Sequence, residues 1–310
     1  MKEPRGQQLI RRYKKHYGIP VDAQVTEEMI LRHWELEKRL TTELLASNPD
    51  NRWQVFQRCY NTLYGELEWL NQLIGADVKT PPSRLHENWL YLIGQPPKRV
   101  YEIGSGKGEM ITYLASRGFE CKATEISQER GQRHTPDSPN LSWGISDGVH
   151  LGRFEAPDSY DVVISNQVIE HLHPDDLYEH FKGVLFILSR GGRYIFATPH
   201  RFAGPSDISR VFKCDRPMGM HLREYTHQEL KELLVLAGFK DVRAVFRVPP
   251  QIGGVLRRWV RPRASRRYLT YLCVVEKLIS ALPRHRLRRK VTWLARVAFV
   301  FPNIFIVAEK

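Results

Sequence analysis

The sequence has few cysteines, and none of them are paired by spacing. Four cysteines occur among 310 residues, and no two of them form a CxxC motif. They stand at Cys59, Cys121, Cys214 and Cys273. Cysteines this far apart argue against a disulfide framework and against a zinc ribbon. We therefore expect reduced thiols and no cysteine-based metal site.

Long hydrophobic runs are also missing. The most apolar late stretch, residues 293–308, is interrupted by Arg296, Pro302 and Asn303. It is too short and too broken for a membrane-spanning helix. The basic N-terminal residues are followed by no apolar stretch, so we expect no signal peptide. These features predict a cytoplasmic protein and leave peripheral association with a membrane open.

Acidic residues are almost absent from residues 249–296. This segment contains 13 Lys/Arg and one acid, Glu276, so its net charge of +12 accounts for nearly all of the chain's +13. Clustered cations beside Trp259, Tyr268 and Tyr271 suit an anionic partner. Three interpretations stay open: a solvated basic face, peripheral contact of residues 256–290 with an anionic membrane, and, with less support, binding of nucleic acid.

Changes in residue pattern divide the chain into four parts. Residues 1–95 have helical periodicity, with a helix start at Thr26 and a helix over 51–74, and predict an N-terminal helical cap. Residues 96–248 alternate strand-like and helical runs, which predicts an α/β core with a doubly wound parallel sheet. Residues 249–299 predict a basic helical insert. Residues 300–310 then return to the core as an edge or antiparallel strand.

A glycine-rich loop follows the first predicted strand. Gly104, Gly106 and Gly108 alternate with other residues between an apolar strand and a helix, where the backbone turns sharply and can approach a ligand. This spacing differs from the GxGxxG of dinucleotide-binding folds, and Glu102 would repel a pyrophosphate but suits an ammonium group. A dehydrogenase is therefore the least favoured enzyme. By itself the loop is also explained as a tight strand–helix turn.

Polar residues stand at the ends of the next three strands. Glu125 ends the second strand, where a carboxylate can accept ribose hydroxyls, and Ile126 can cover an adenine. Asp147–Gly148 follows the third strand, where the acid can accept an adenine amino group, and the fourth strand ends at Asn166. Ligands of such folds bind outside the carboxyl ends of the strands. The pattern predicts a nucleotide-like ligand.

Residues 98–248 resemble the class I S-adenosylmethionine-dependent methyltransferases in four motifs that occur in order. The motifs are EIGSGKG, ATEIS, SDG and DVVISNQVIEH. The similarity is to the branch that includes ubiquinone-biosynthesis O-methyltransferases. It implies a Rossmann-like sheet of seven strands, S-adenosylmethionine as cofactor, and methyl transfer to an oxygen, less favourably a nitrogen or carbon, of a small-molecule or lipid-linked acceptor. The cofactor-binding residues it implies are Glu102, Gly104, Ser105, Gly106, Gly108, Glu125, Ile126, Asp147, Gly148 and Asn166.

A second similarity concerns Glu170, His171 and His221, our candidate catalytic residues. They resemble the ligand set of the methyltransferases that modify the 3′ ends of small RNAs, which implies a divalent metal on these three residues. Gln167 replaces a glutamate of that family, and a neutral amide is a poorer ligand for a hard cation. In the alternative interpretation, His171 bonds the backbone or acts as an acid–base group.

Two rival functions therefore remain: an RNA ribose 2′-O-methyltransferase with a divalent metal, and a non-catalytic binding module that keeps the fold. The intact acids Glu102, Glu125 and Asp147 argue against the second rival. His173, His180 and His200 are weaker candidates, expected to be surface or loop histidines.

Overall fold

The computed structural model describes residues 3–75, 84–127, 138–247, 261–282, 285–294 and 303–310. It consists of two compact units. Unit 1 contains residues 1–81 and 204–224, and unit 2 contains residues 82–203 and 225–310. The division differs from the sequence-based one, because residues 82–95 group with the sheet and residues 204–224 group with the N-terminal helices.

Unit 1 is helical. The side chain of Thr26 accepts a hydrogen bond from the backbone N–H of Met29 at 3.2 Å, so the predicted helix start is confirmed. The single helix predicted over 51–74 is wrong, because the chain forms two helices separated at Leu67. The four helices are α1 (Gly6–Tyr17), α2 (Glu27–Leu45), α3 (Arg52–Glu66) and α4 (Glu68–Gly75).

A buried chain of hydrogen bonds joins the elements of unit 1. Tyr13 on α1 is 2.7 Å from Nδ1 of His33, and Nε2 of the same ring is 2.7 Å from Glu37 on α2. Because the carboxylate only accepts, His33 donates from Nε2 and accepts the Tyr13 hydroxyl at Nδ1. Glu37 also accepts the backbone N–H of Met220 at 3.1 Å. The 204–224 segment is therefore tied to α2 through a buried carboxylate.

Unit 2 is built on one eight-stranded sheet. Its strand order is β3-β2-β1-β4-β5-β8-β6-β7, and β1 to β5 are parallel. The order reverses between β1 and β4, which is where doubly wound folds bind ligands. The strands are β1 (Arg99–Ile103), β2 (Glu120–Glu125), β3 (Leu141–Ile145), β4 (Tyr160–Asn166), β5 (Leu188–Pro199), β6 (Asp241–Phe246), β7 (Arg263–Ser265) and β8 (Asn303–Glu309).

One feature of the sheet corrects the expectation from sequence, and a second confirms it. The basic segment contributes an eighth strand, β7, which pairs antiparallel with β6, where seven strands were expected. The last strand, β8, is antiparallel as predicted but lies between β5 and β6 and forms no edge. Its buried run Ile304–Ala308 explains this position, because an apolar strand is covered on both faces only inside a sheet.

Helices cover both faces of the sheet. Tyr101 and Ile103 of β1 point into one core, together with Phe181 and Leu230 from the helices, while the alternate residue Val100 points into the other core. None of the described helices is long and apolar enough to cross a membrane. The helices of unit 2 are α5 (Arg84–Ile93), α6 (Glu109–Ser116), α7 (Leu177–Ile187), α8 (His227–Ala237), α9 (Arg266–Ser280) and α10 (His285–Leu294).

Candidate active site

The glycine loop adopts backbone conformations that other residues rarely take. Gly104, Gly106 and Gly108 have φ of 67°, 57° and 74°, in the left-handed region where a Cβ is strained. At Gly104 a Cβ would also collide with the side chain of Val168. The predicted close turn between β1 and α6 is therefore present, and its glycines are required for it.

Glu102, immediately before this loop, is a buried carboxyl group. Among the described residues, its Oε2 atom has no hydrogen-bond partner. Burial, with a smaller contribution from the charge of Glu125, raises the pKa of Glu102 to about 8. Hydrogen bonds, including one from the backbone of Ile111, favour the ionised form but do not outweigh burial, and in the described part of the chain Oε2 is left unpaired. It is suited to pairing with a cationic group of a ligand.

Glu125, at the end of β2, is fixed by the loop it faces. Its Oε1 accepts the backbone N–H of Gly106 at 2.6 Å, and its Oε2 accepts the N–H of Ile126 at 3.2 Å. Burial raises the pKa of this carboxyl group. Each carboxylate oxygen has further lone pairs, so the two oxygens can still accept hydroxyl groups from a fixed position.

Ser105 uses its hydroxyl inside the loop. Its Oγ donates to the carbonyl of Glu102 at 3.3 Å and accepts the N–H of Thr124 at 3.1 Å. The hydroxyl of Thr124 donates to the same carbonyl at 2.8 Å. The Ser105 side chain therefore joins the ends of β1 and β2, and its proposed cofactor contact stays a prediction.

Asp147 organises the turn after β3. Its Oδ1 accepts the N–H groups of Val149 and His150, both at 2.8 Å, and its Oδ2 lies 2.9 Å from Nδ1 of His150. Gly148 has φ 69°, with the side chain of Ile103 beside the position of a Cβ. Hydrogen bonds to the backbone hold the carboxylate of Asp147 in place. Its contact with an adenine stays a prediction.

A buried histidine connects this turn to the sheet. Nδ1 of His180 donates to the carbonyl of Gly148, and Nε2 lies 2.9 Å from the hydroxyl of Tyr194. Tyr194 in turn lies 2.7 Å from Oγ of Ser165 on β4. Burial lowers the pKa of His180 to about 4, so the ring is neutral and accepts at Nε2. His180 is buried within α7, so the expectation of a surface or loop histidine is wrong for it, whereas His173 and His200 are buried but lie in loops.

The chain bends sharply where β4 ends. Asn166 is exposed, and Gln167 has φ 58°, in the left-handed region, while its N–H donates to the carbonyl of Ala197 at 2.8 Å. A short helical turn, Ile169–His171, follows. Positive φ in a non-glycine residue is uncommon and often marks a site. The bend begins at Gln167, the residue that stands where the small-RNA methyltransferases have a glutamate.

Glu170 and His171 have different environments within this turn. Glu170 is fully buried, and its Oε2 accepts the hydroxyl of Thr198 on β5 at 2.9 Å. His171 is partly exposed, and its backbone N–H donates to the carbonyl of Val168 at 2.9 Å. The contact with Thr198 gives Glu170 a structural role in attaching the turn to the sheet. His171 is the more accessible of the two side chains.

His221 belongs to unit 1, where it pairs with an acid that sequence reasoning missed. Its Nδ1 lies 2.9 Å from Oε1 of Glu224, and the same oxygen accepts the N–H of Ser206 at 2.6 Å. Oε2 of Glu224 is buried without a hydrogen-bond partner among the described residues. The His-x-x-Glu spacing was the only signal for this pair in the sequence.

A second histidine–carboxylate group lies in unit 2. Oε1 of Glu276 is 2.7 Å from Nε2 of His200 and 2.5 Å from Nδ1 of His227. Nδ1 of His200 accepts the N–H of Phe202, so this ring donates to Glu276 from Nε2. Glu276 also accepts the first backbone N–H groups of α8, from His227 and Gln228. The group is a buried anion held at a helix N-terminus by two imidazoles.

The residues around the β1–β4 ends fit S-adenosylmethionine. Its ammonium group suits the unpartnered buried oxygen of Glu102, and its ribose hydroxyls suit the fixed carboxylate of Glu125. The glycines leave no side chain at Gly104 and Gly106, where the backbone would approach the ligand. A pyrophosphate would instead meet the buried acid Glu102 just before the loop, which argues against a dinucleotide here.

Comparisons with known proteins agree with this assignment. Residues 76–244 match a family described as a methyltransferase domain. An uncharacterized methyltransferase of Bacillus thuringiensis is 26% identical over 122 residues, which is 39% of this chain and 56% of that protein. The same identity and coverage hold for a protein of Bacillus cereus. The chain thus spans about half the length of the curated relatives it matches.

Two solved structures share the fold at low identity. One is the Burkholderia thailandensis 1,6-didemethyltoxoflavin N1-methyltransferase, with TM-score 0.51, 15% identity, and coverage of 85% of this chain and 91% of that one. The other is a Haemonchus contortus phosphoethanolamine N-methyltransferase, with TM-score 0.50, 16% identity and coverage of 85% and 60%. The match to the methyltransferase-domain family covers more than half of the residues of this chain. The chain therefore belongs to the class I S-adenosylmethionine-dependent methyltransferases.

Proposed function

We propose that the chain transfers a methyl group from S-adenosylmethionine to an oxygen of a small-molecule or lipid-linked acceptor. The observation that carries the cofactor assignment is the buried, unpartnered carboxyl oxygen of Glu102 beside a loop of left-handed glycines. Oxygen is favoured over nitrogen or carbon by the motif resemblance to ubiquinone-biosynthesis O-methyltransferases. The same resemblance supports a lipid-linked acceptor.

In this proposal the chain's own residues bind and orient the cofactor. S-adenosylmethionine supplies a methyl group that its sulfonium already activates, so the protein mainly contributes alignment. Glu102 holds the ammonium group, Glu125 accepts the ribose hydroxyls, and Asp147 accepts the adenine amino group. Gly148, Ile126 and Asn166 border the same strand ends. His180 supports this arrangement by holding the carbonyl of Gly148.

An oxygen acceptor also has to lose a proton. His171 offers a partly exposed imidazole directly after β4, and the pairing of His221 with Glu224 fixes the orientation of a second imidazole. We propose these two histidines as the acid–base groups. Glu170 positions the turn that carries His171, through its contact with Thr198.

Calorimetric titration with S-adenosylhomocysteine tests the cofactor assignment. We expect binding by the wild-type protein without added metal, followed by incorporation of labelled methyl into lipid or small-molecule extracts. Methylation of RNA that requires Mn²⁺ or Mg²⁺ would instead support the ribose methyltransferase. Binding without turnover on any extract would support the non-catalytic module. Affinity for a nicotinamide or flavin cofactor in place of S-adenosylhomocysteine would contradict the assignment.

Variants of the two histidines test the acid–base proposal. We expect His171→Ala and His221→Ala to lose turnover by about 10²–10⁴-fold, while their affinity for S-adenosylhomocysteine stays that of the wild type. Unchanged turnover in either variant would remove that residue from the mechanism.

A further inference from the structure

Helix α9 of the basic segment exposes an apolar stripe. Its buried face carries Leu269, Leu272, Glu276 and Ile279, at helical spacing. The opposite face exposes Tyr271, Val274 and Leu278, and Leu278 has a relative exposure of 67%. In an ordinary amphipathic helix the apolar face is buried and the outer side carries mostly polar residues. The outer side of α9 is therefore unusually apolar.

The rotation of α9 about its axis is fixed by Glu276. The two oxygens of this buried carboxylate accept hydrogen bonds from both His200 and His227 and from two backbone N–H groups of α8. Turning the exposed stripe inward would expose this anion and break all four contacts. The outward position of the stripe follows from this internal anchor.

Helix α10, which contacts α9, also exposes apolar side chains. Leu287 and Leu294 are exposed and lie seven residues apart, with exposed Lys290 between them on the same side of the helix. The two helices contact each other, and Nε of Arg288 on α10 donates to the carbonyl of Leu282 at 2.8 Å. We refer to the exposed residues Arg267, Tyr271, Val274, Lys277, Leu278, Leu287, Lys290 and Leu294 as the α9–α10 surface.

The charge of this surface has one sign. Glu276 is the only acid between residues 249 and 296, and it is buried. Arg267 and Lys277 flank the apolar stripe on α9, and Lys290 lies beside it on α10. The described residues of α9 and α10 therefore combine exposed leucines with cations and include no exposed acid, and the acids beside α9, Asp241 and Glu232, come from neighbouring elements. Nucleic acid would be attracted by the cations but would give no reason for the aliphatic side chains.

We propose that the α9–α10 surface binds the face of an anionic phospholipid bilayer. The aliphatic side chains enter the boundary between headgroups and acyl chains, and the cations contact lipid phosphates. Neither helix spans the bilayer. This inference is independent of methyl transfer, since it concerns binding alone, and it gives a lipid-linked acceptor a physical route to the protein.

Vesicle co-sedimentation of the full chain tests the proposal. We expect binding to vesicles of equal parts phosphatidylcholine and phosphatidylglycerol at low salt, weak binding to phosphatidylcholine alone, and weaker binding at high salt. Val274→Glu with Leu278→Glu is expected to reduce the vesicle affinity at least thirtyfold, about the loss for two interfacial contacts. Arg267→Gln with Lys277→Gln is expected to give a similar loss of about thirtyfold.

The matched control is Val235→Glu with Leu236→Glu on α8. Val235 and Leu236 are 55% and 68% exposed, against 53% and 67% for Val274 and Leu278, but they lie outside the basic segment. We expect this control to bind vesicles like the wild type, and circular dichroism checks that all three variants are folded. Equal loss in the control would overturn the proposal. So would normal vesicle binding by the apolar-face variant with loss only in the charge variant, which would show that charge alone holds the vesicle and that the aliphatic side chains do not enter the bilayer.

Discussion

The environment of Glu102 is unfavourable for an ionised carboxyl group without a ligand. Its carboxyl group is buried, one oxygen lacks a partner among the described residues, and its pKa is raised to about 8. A carboxyl group with a raised pKa stabilises the folded state below its ordinary pKa, and this contribution is lost as the pH rises through 8. The residue therefore opposes folding at high pH and becomes favourable when a cation binds.

We predict opposite effects of Glu102→Gln on stability and on binding. The variant without ligand should be more stable than the wild type at pH 8–9, by on the order of 2–4 kcal/mol, and should differ little below pH 5. Its affinity for S-adenosylhomocysteine should fall by about 30-fold or more, because a buried ion pair is lost. Urea unfolding and calorimetry measure the two effects.

The wild-type affinity should also depend on pH. Between pH 6 and 8 the affinity for S-adenosylhomocysteine should rise, by up to about tenfold per pH unit, because binding requires ionised Glu102. The variant should lack this dependence. Glu109→Gln, which removes an exposed acid at the start of α6, serves as the control. A wild-type affinity that is flat with pH would show that Glu102 does not meet the ammonium group.

Sequence reasoning found individual residues where the local pattern determines the conformation. The sharp glycine turn after β1 and the acids at strand ends were predicted, because both follow from the pattern of short segments. Glu224 and Thr198 were missed. The role of Thr198 depends on Glu170, 28 residues earlier, and such pairings follow only from the folded chain.

At the scale of elements, α9 is joined to the sheet domain by one buried anion. Burial alone would raise the pKa of Glu276, but hydrogen bonds from His200 and His227 outweigh it and hold the pKa well below its ordinary value. Burial lowers the pKa of His227, which favours the neutral form of this imidazole beside the anion. Because the Glu276 pKa is depressed, its stabilisation is present above pH 5 and is lost as the pH falls through the depressed value.

We predict that Glu276→Gln destabilises the protein by about 3 kcal/mol at pH 7. The amide would place N–H donors against the donors of His227 and the start of α8. The difference from the wild type should stay constant between pH 6 and 8, measured by urea unfolding. Glu232→Gln, an exposed change on α8, should have an effect within about 0.5 kcal/mol. Equal stability of the two variants would mean that the buried anion contributes nothing.

Element boundaries were predictable where a side chain marks them. At the start of α8, Thr226 and Glu229 form a reciprocal capping box, a pattern that is visible in the sequence. The break at Leu67 was missed, because the apolar periodicity of residues 51–74 continues across it. Strand β7 was missed for a different reason: it has three residues, paired with three residues of β6, which are too few to show an alternating pattern.

For the whole molecule, the cofactor site depends on the central sheet. Glu102, Glu125, Asp147 and Asn166 come from the ends of four different strands that are hydrogen-bonded side by side. These four residues are spread over positions 102–166 of the chain. No single segment contains the whole site, so the site is lost when the sheet opens. Ligand binding is therefore linked to the opening free energy of these strands.

We predict that S-adenosylhomocysteine at about 100 times its dissociation constant raises the opening free energy of β1, β2, β3 and β4 together, by about 2.7 kcal/mol. Hydrogen exchange measured by mass spectrometry should show slower exchange in peptides that cover residues 99–125 and 141–166. The Glu102→Gln variant at the same ligand concentration should show much less protection, since its affinity is reduced. Protection restricted to the glycine loop, with β3 and β4 unchanged, would mean that the strand ends do not act as one binding site.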